Sequence, residues 1–293
     1  MNDSAFVAIG LPIALGIIMF GLGLSLTVAD FRRVARNPKA IAFALTLQIV
    51  ILPWVAFGLV KIFSVDSLLA VGVMLLAASP GGTTANLFSH LFRGDVAFNV
   101  TLTAINSVLA AFTIPLITNL AIRYFDTEGD LGLQTGKVVQ VIALVLVPVG
   151  IGMLVRHRST EFAAQTDRPV RVFSIIILVV VSLGALLGER ENLADYLQQV
   201  GWVTGFFCLV SLSFGYGGAR LLRLSASQAV ASAMEVGIHN TTVALTISLS
   251  VLDSNQVAIP SAVYSVIMYV LATAFGFAIT RGRLRSHGPS AAA

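Results

Sequence analysis

The sequence predicts an all-α polytopic membrane protein: nine transmembrane helices, two of them discontinuous, arranged as an inverted repeat. Three observations lead there. Of 293 residues, 57% are hydrophobic and 11% charged, against about 25% charged in a soluble domain. Apolar runs of about 20 residues, long enough to cross a hydrocarbon core, recur from end to end. The charges collect in the gaps between those runs, and their sign alternates from gap to gap.

The runs cover roughly 6–29, 40–62, 66–91, 96–122, 136–155, 170–188, 197–219, 226–251 and 256–280. The opening Met-Asn-Asp-Ser lacks the basic n-region of a signal peptide, and the first run exceeds an h-region, so it counts as a span. With the N-terminus outside, the inner gaps hold Arg32, Arg33, Arg36 and Lys39; Arg93; Arg156, Arg158, Arg168 and Arg171; Arg220 and Arg223; and Arg281, Arg283 and Arg285. These are 14 of the 18 basic residues, leaving Lys61, Arg123, Lys137 and Arg190 outside. Basic residues set orientation by staying in the cytoplasm. The expectation is a multi-pass protein of the inner (plasma) membrane with a cytoplasmic C-terminus. Residues 284–293 read as a disordered cytoplasmic tail.

The net charge of +4 belongs to those membrane faces and does not signal nucleic acid. The lone cysteine, Cys208, excludes an internal disulfide and a cysteine metal cluster. No protein partner is implied.

Two runs are interrupted. The third contains Ser79-Pro-Gly-Gly-Thr-Thr-Ala-Asn86, where a proline and paired glycines break a helix among hydroxyls and an amide. The eighth contains Glu235-Val-Gly-Ile-His-Asn-Thr-Thr242. Irregular backbone at membrane depth is tolerated only where protein or water satisfies it. A pair of such breaks in corresponding positions of two halves points to the binding site of a secondary transporter. Spans three and eight lie five apart, and an odd offset inverts the second copy, pairing spans two to four with seven to nine.

Glu235 is the one acid that falls deep within a run, and a buried charge in lipid marks an ion or substrate path. A broken helix offers carbonyl oxygens to a cation and amide hydrogens to an anion. Oxygen donors cluster nearby. Asn99, Thr103 and Asn106 recur at spacings of four and three and share a helical face, and Gln48 stands alone in span two. One carboxylate with neutral oxygens suits a monovalent cation better than Mg²⁺ or Zn²⁺.

These residues resemble a known family. Ser79-Pro-Gly-Gly-Thr-Thr-Ala-Asn86, then Phe92-Arg-Gly-Asp-Val-Ala97, then Glu235-Val-Gly-Ile-His-Asn240 look like the bile acid:sodium symporter (BASS) family, in its nine-span bacterial form. The resemblance implies two broken helices crossing at mid-membrane. It also implies a core domain, 40–122 with 197–280, moving against a panel domain, 6–29 with 136–188. It implies Na⁺ on Ala85 (through its main chain), Asn86, Asn99, Thr103 and Glu235. A second Na⁺ would use Gln48, Glu235, the carbonyls of Val236 and Ile238, and His239. Thr83 and Asn240, with neighbouring Thr84 and Thr241, fall where the family meets its organic anion. The chain departs from the family pattern at three places: Ala85 and Asn99 stand where serine is common, and His239 where glutamine is usual.

The function expected is therefore sodium-coupled import of a small organic anion, bile-salt-like or a monocarboxylate, by alternating access. The alternative within transport is proton coupling through His239, because imidazole titrates near neutrality. An intramembrane enzyme would need a nucleophile with its base, or a third metal ligand beside Glu235 and His239. The runs supply neither, so no enzyme is expected.

Overall fold

The computed structural model describes residues 10–32, 37–127 and 135–285. Among them the chain is helical, in the order α1 (Leu11–Ser25), α2 (Val28–Arg32), α3 (Pro38–Thr46), α4 (Leu52–Ile62), α5 (Ser67–Ala78), α6 (Thr83–Leu91), α7 (Val96–Tyr124), α8 (Thr135–Arg158), α9 (Thr160–Gly188), α10 (Leu193–Leu221), α11 (Ala226–Gly237), α12 (Thr241–Thr246) and α13 (Asn255–Arg285). A π-helical turn, Leu47–Ile51, joins α3 to α4, and a second, Ile247–Val251, extends α12.

Among the described residues, five helical stretches are long and apolar enough to cross a membrane: Pro38–Ile62, Val96–Tyr124, Gly136–Arg158, Leu193–Leu221 and Asn255–Thr280. The pair α5 and α6, bent by 63°, makes a sixth. The other expected spans are shorter apolar stretches: Leu11–Ser25, Ile175–Gly188, and α11 with α12. Helix α9 starts ten residues before the expected span. Ser159 caps it by accepting from the Phe162 amide, and polar sequence can form helix beyond the membrane core. The tail lies outside the described residues except for Leu284 and Arg285, which continue α13. Arg33, Arg36 and residues 1–9 also lie outside them.

The side chains sort as a bilayer solvent requires. Trp54 and Trp202, which the sequence leaves without a role, are 69% and 65% exposed. Trp54 packs on Phe57, and Phe57 on Tyr124. Lys61 sits over the Tyr124 ring. Such amphipathic rings collect at membrane–water interfaces. Polar groups turn inward: Glu235 is fully buried and Asp30 is 4% exposed. Asp30 accepts from the amide and hydroxyl of Thr27 at the start of α2.

Helix α1 packs against α8 and α9. Gly23 and Gly152 face each other there, and a Cβ on either would fall on the partner's backbone. Small residues at a membrane helix contact let backbones approach this way. Arg156 of α8 then donates to the Leu24 carbonyl at 2.7 Å, closing the end of α1. The remaining helices surround α5, α6, α11 and α12. Helix α6 packs on α7 and α11, and α11 on α7 and α10, which brings the two interrupted stretches to the centre.

Candidate functional site

Both interruptions are real breaks in the helical backbone. The first leaves 79–82 extended, with Ser79 at φ −78, ψ 126 and Gly82 at φ −148, ψ −163. Proline at 80 has no amide to continue the ladder. The second leaves Ile238 extended at φ −110, ψ 100. Asn240 restarts the helix there by accepting from the Val243 amide.

The breaks touch. The Asn240 amide donates to the Pro80 carbonyl at 2.7 Å. Gly81 lies so close to Glu235 that a Cβ would stand 2.7 Å from its carboxylate. Three other carbonyls freed by the breaks also find donors, as buried backbone favours. Gln48 Nε2 reaches Ser79 O at 3.4 Å. The Ala85 amide, and at longer range that of Asn86, point to Gly82 O. The Tyr264 hydroxyl donates to Gly237 O at 2.7 Å, where the Cys208 thiol also points.

Around Glu235, one face of α7 supplies three donors. Thr103 Oγ1 lies 2.6 Å from Oε2, Asn99 Nδ2 3.3 Å from Oε2, and Asn106 Nδ2 3.2 Å from Oε1. Asn86 of α6 joins through its Oδ1, which accepts from Asn99 at 2.6 Å and lies 3.4 Å from Thr103 Oγ1, whose hydrogen goes to Glu235. Two oxygens in this knot, Asn99 Oδ1 and Asn106 Oδ1, are buried without a partner. Buried polar atoms are seldom left so, because each costs about 1–3 kcal/mol.

Thus Asn86, Asn99, Thr103 and Glu235 are assembled in one place. Ala85 is fully buried beside them on α6, its methyl offering no ligand. Gln48 and His239 form a second group. The Tyr264 hydroxyl spends its proton on Gly237, so His239 Nδ1, 3.1 Å away, donates to it. His239 Nε2 then accepts from Gln48 Nε2 at 3.3 Å. Gln48 Oε1 is buried without a partner. Gln48 reaches this point from the π-helical turn, a bulge often found at functional positions. Val236 is fully buried in the last turn of α11 and Ile238 follows the break.

Beside the breaks opens a cavity of about 260 Å³. Thr83, Thr84, Asn240 and Thr241 line its polar side, with Ile238 and His239 at its base. Thr83 and Thr84 open α6, so their amides have no acceptor within the helix. Ile18, Ile175, Leu178, Val179 and Met268 form the opposite, apolar wall. Among the described residues, no lysine or arginine lines the cavity.

Sequence reasoning missed three things. Asn106 was placed on the right face, among the oxygen donors, but left out of the expected ligand set. Tyr264 and the apolar wall carried no signal, because their partners lie on other helices: Tyr264 is one tyrosine in an apolar run, 27 residues from the carbonyl it holds.

Comparison with known proteins gives the family of the chain. The profile of the Sodium Bile acid symporter family matches residues 12–196. The chain is 31% identical over 267 residues to an uncharacterized sodium-dependent transporter, YocS, of Bacillus subtilis, covering 87% of this chain and 78% of that one. It is 28% identical over 265 residues to a probable sodium/metabolite cotransporter, chloroplastic BASS1 of Arabidopsis thaliana (88% and 64%). It is 32% identical over 231 residues to mouse sodium/bile acid cotransporter 4 (78% and 52%). The chain thus spans about two thirds and one half of the last two proteins. They are transporters and not enzymes, and the chain belongs to the sodium bile acid symporter family.

Proposed function

We propose that this protein is a sodium-coupled symporter that imports a small organic monoanion across the inner membrane. One observation carries the reading. Glu235, fully buried, meets an amide-and-hydroxyl cluster at the contact of two broken helices, and two oxygens of that cluster have no partner. An oxygen-only set with one carboxylate fits Na⁺. Asn86, Asn99, Thr103 and Glu235 would hold it, with main-chain help near Ala85. Neutralising Glu235 removes a charge that is costly at membrane depth.

The anion would lie in the adjoining cavity, its carboxylate toward Thr83, Thr84, Asn240 and Thr241 and its apolar body against α1, α9 and α13. The lack of a cationic side chain among the described lining residues favours a single negative charge. Pockets for drug-sized ligands run about 300–1,000 Å³, so a cavity of about 260 Å³ suits a small monocarboxylate better than a sterol-sized one. Cation and anion share α6 and residues 235–241. Each ligand orders the stretch that the other uses, and the coupling is reciprocal.

We further read the chain as nine spans with the N-terminus outside, α11 and α12 forming one of them. The packing of α1 with α8 and α9 supports a panel (6–29, 136–188) distinct from a core (40–122, 197–280).

Purified protein in liposomes tests the proposal. Uptake of labelled monocarboxylates is expected under an inward sodium gradient and not under an equal potassium gradient. Equal uptake in both would remove sodium coupling.

Proton coupling through His239 is the second reading. Its imidazole is held as one neutral tautomer between Tyr264 and Gln48, and protonating Nε2 would set it against a donor. A second cation using Gln48, Glu235, Val236, Ile238 and His239 meets the same nitrogen, where Na⁺ favours oxygen. The expected result is that His239→Gln, whatever its rate, still requires sodium and keeps the parent's pH profile between about pH 5 and 8. Proton-driven uptake without sodium, lost in His239→Gln, would reverse this.

A further inference from the structure

Asn106 belongs to the same helical face as Asn99 and Thr103, yet the family resemblance assigns it nothing. Its side chain is 2% exposed. Nδ2 donates to Glu235 Oε1 at 3.2 Å, and Oδ1 has no partner. Asn99 faces Glu235 from the other side of Thr103: Nδ2 donates to Asn86 Oδ1 at 2.6 Å and to Glu235 Oε2 at 3.3 Å, and Oδ1 has no partner. Two amides therefore face one carboxylate with their hydrogens, each with an unused oxygen.

From this geometry we infer that Asn106 is a further member of the cation seat, and that it turns its amide over as sodium comes and goes. The inference rests on the sodium reading above. An amide has a donor end and an acceptor end on a single rotatable bond. With the donor ends inward, Glu235 is a carboxylate satisfied by three hydrogen bonds, a form in which a buried charge is tolerable. With its acceptor end inward, Asn106 gives oxygen to a cation resting on Glu235. A carrier must cross the membrane both loaded and unloaded, and this exchange keeps Glu235 compensated in each form. Thr103 needs no turn, since a hydroxyl both donates and accepts. Asn99 stays as it is, because turning it would break its 2.6 Å bond to Asn86 Oδ1 and set two oxygens against each other.

The test is the sodium concentration that half-stabilises the purified protein in a thermal melt, with NaCl exchanged for KCl at constant ionic strength and mildly alkaline pH. Asn106→Leu removes both ends of the amide and is expected to raise that concentration about tenfold or more, the size of one charge-assisted bond. Asn106→Asp keeps oxygens and removes the donor. It leaves two facing carboxylates without sodium and two ligands with it, so the melting shift caused by sodium is expected to exceed the parent's. A merely structural Asn106 would move both variants the same way, because both lose the amide. Sodium responses in the two variants that match the parent's, or that both weaken, overturn the inference. If Asn106→Leu does not fold, Asn106→Asp decides alone, and a sodium shift no larger than the parent's overturns it. If the parent shows no sodium shift, the sodium reading itself falls.

Discussion

Sodium-driven uptake is expected to disappear in Glu235→Ala. The loss should be about a hundredfold or more, equivalent to about 2.7 kcal/mol of cation binding. The substitution removes the carboxylate at the contact of the two breaks and leaves the amides of Asn99 and Asn106 pointing at a void. Hydrogen bonds to charged groups contribute about 1.5–3 kcal/mol each, so their loss acts on the seat and on the helices that meet there. Glu235→Gln separates the two consequences. It preserves shape and one acceptor oxygen but carries no charge, so it should fold more like the parent and still fail to couple sodium. Uptake in liposomes, read beside circular dichroism and gel filtration, checks both variants. Sodium-driven transport within about threefold of the parent in Glu235→Gln (a difference of about 0.65 kcal/mol) would deprive the carboxylate of its role.

The second large effect concerns Gly81. An added Cβ would stand 2.7 Å from the Glu235 carboxyl carbon and Oε2, and 2.8 Å from its backbone oxygen. No rotamer of alanine escapes that contact, and one obstacle is main chain. Overpacking of this kind costs about 1–3 kcal/mol. Here the strain falls on the two breaks at the point of their contact. Gly81→Ala is expected to lower the melting temperature and to reduce sodium-driven uptake at least tenfold. Gly58→Ala is the control, because a Cβ on Gly58 meets nothing within 4 Å. If Gly81→Ala matches Gly58→Ala in melting and uptake, the close approach of the two stretches has no functional weight.

How much of this was legible in the chain depends on the range of the forces involved. The break at 79–82 was legible because its cause is local: Pro80 lacks an amide hydrogen, and Gly81 and Gly82 are poor helix formers. The break after Gly237 was harder. It has no proline, and its signal was an acid, an imidazole and an amide crowded into an apolar run. The shared face of Asn99, Thr103 and Asn106 followed from helical periodicity. Its target did not, since Glu235 lies 129 residues beyond Asn106. The apolar wall of the cavity was invisible for the same reason. Ile18, Ile175 and Met268 look like any lipid-facing residue until helices from distant parts of the chain converge.

By itself the sequence determined the environment, the helical class, and where the helices are interrupted. Those properties rest on hydropathy summed over twenty residues and on the backbone chemistry of single positions. Only the tertiary structure decided which interruption meets which, which way each buried amide points, and which oxygens are left free. A polar group in a membrane interior takes whatever partner packing brings within about 3 Å, and packing is a property of the whole bundle.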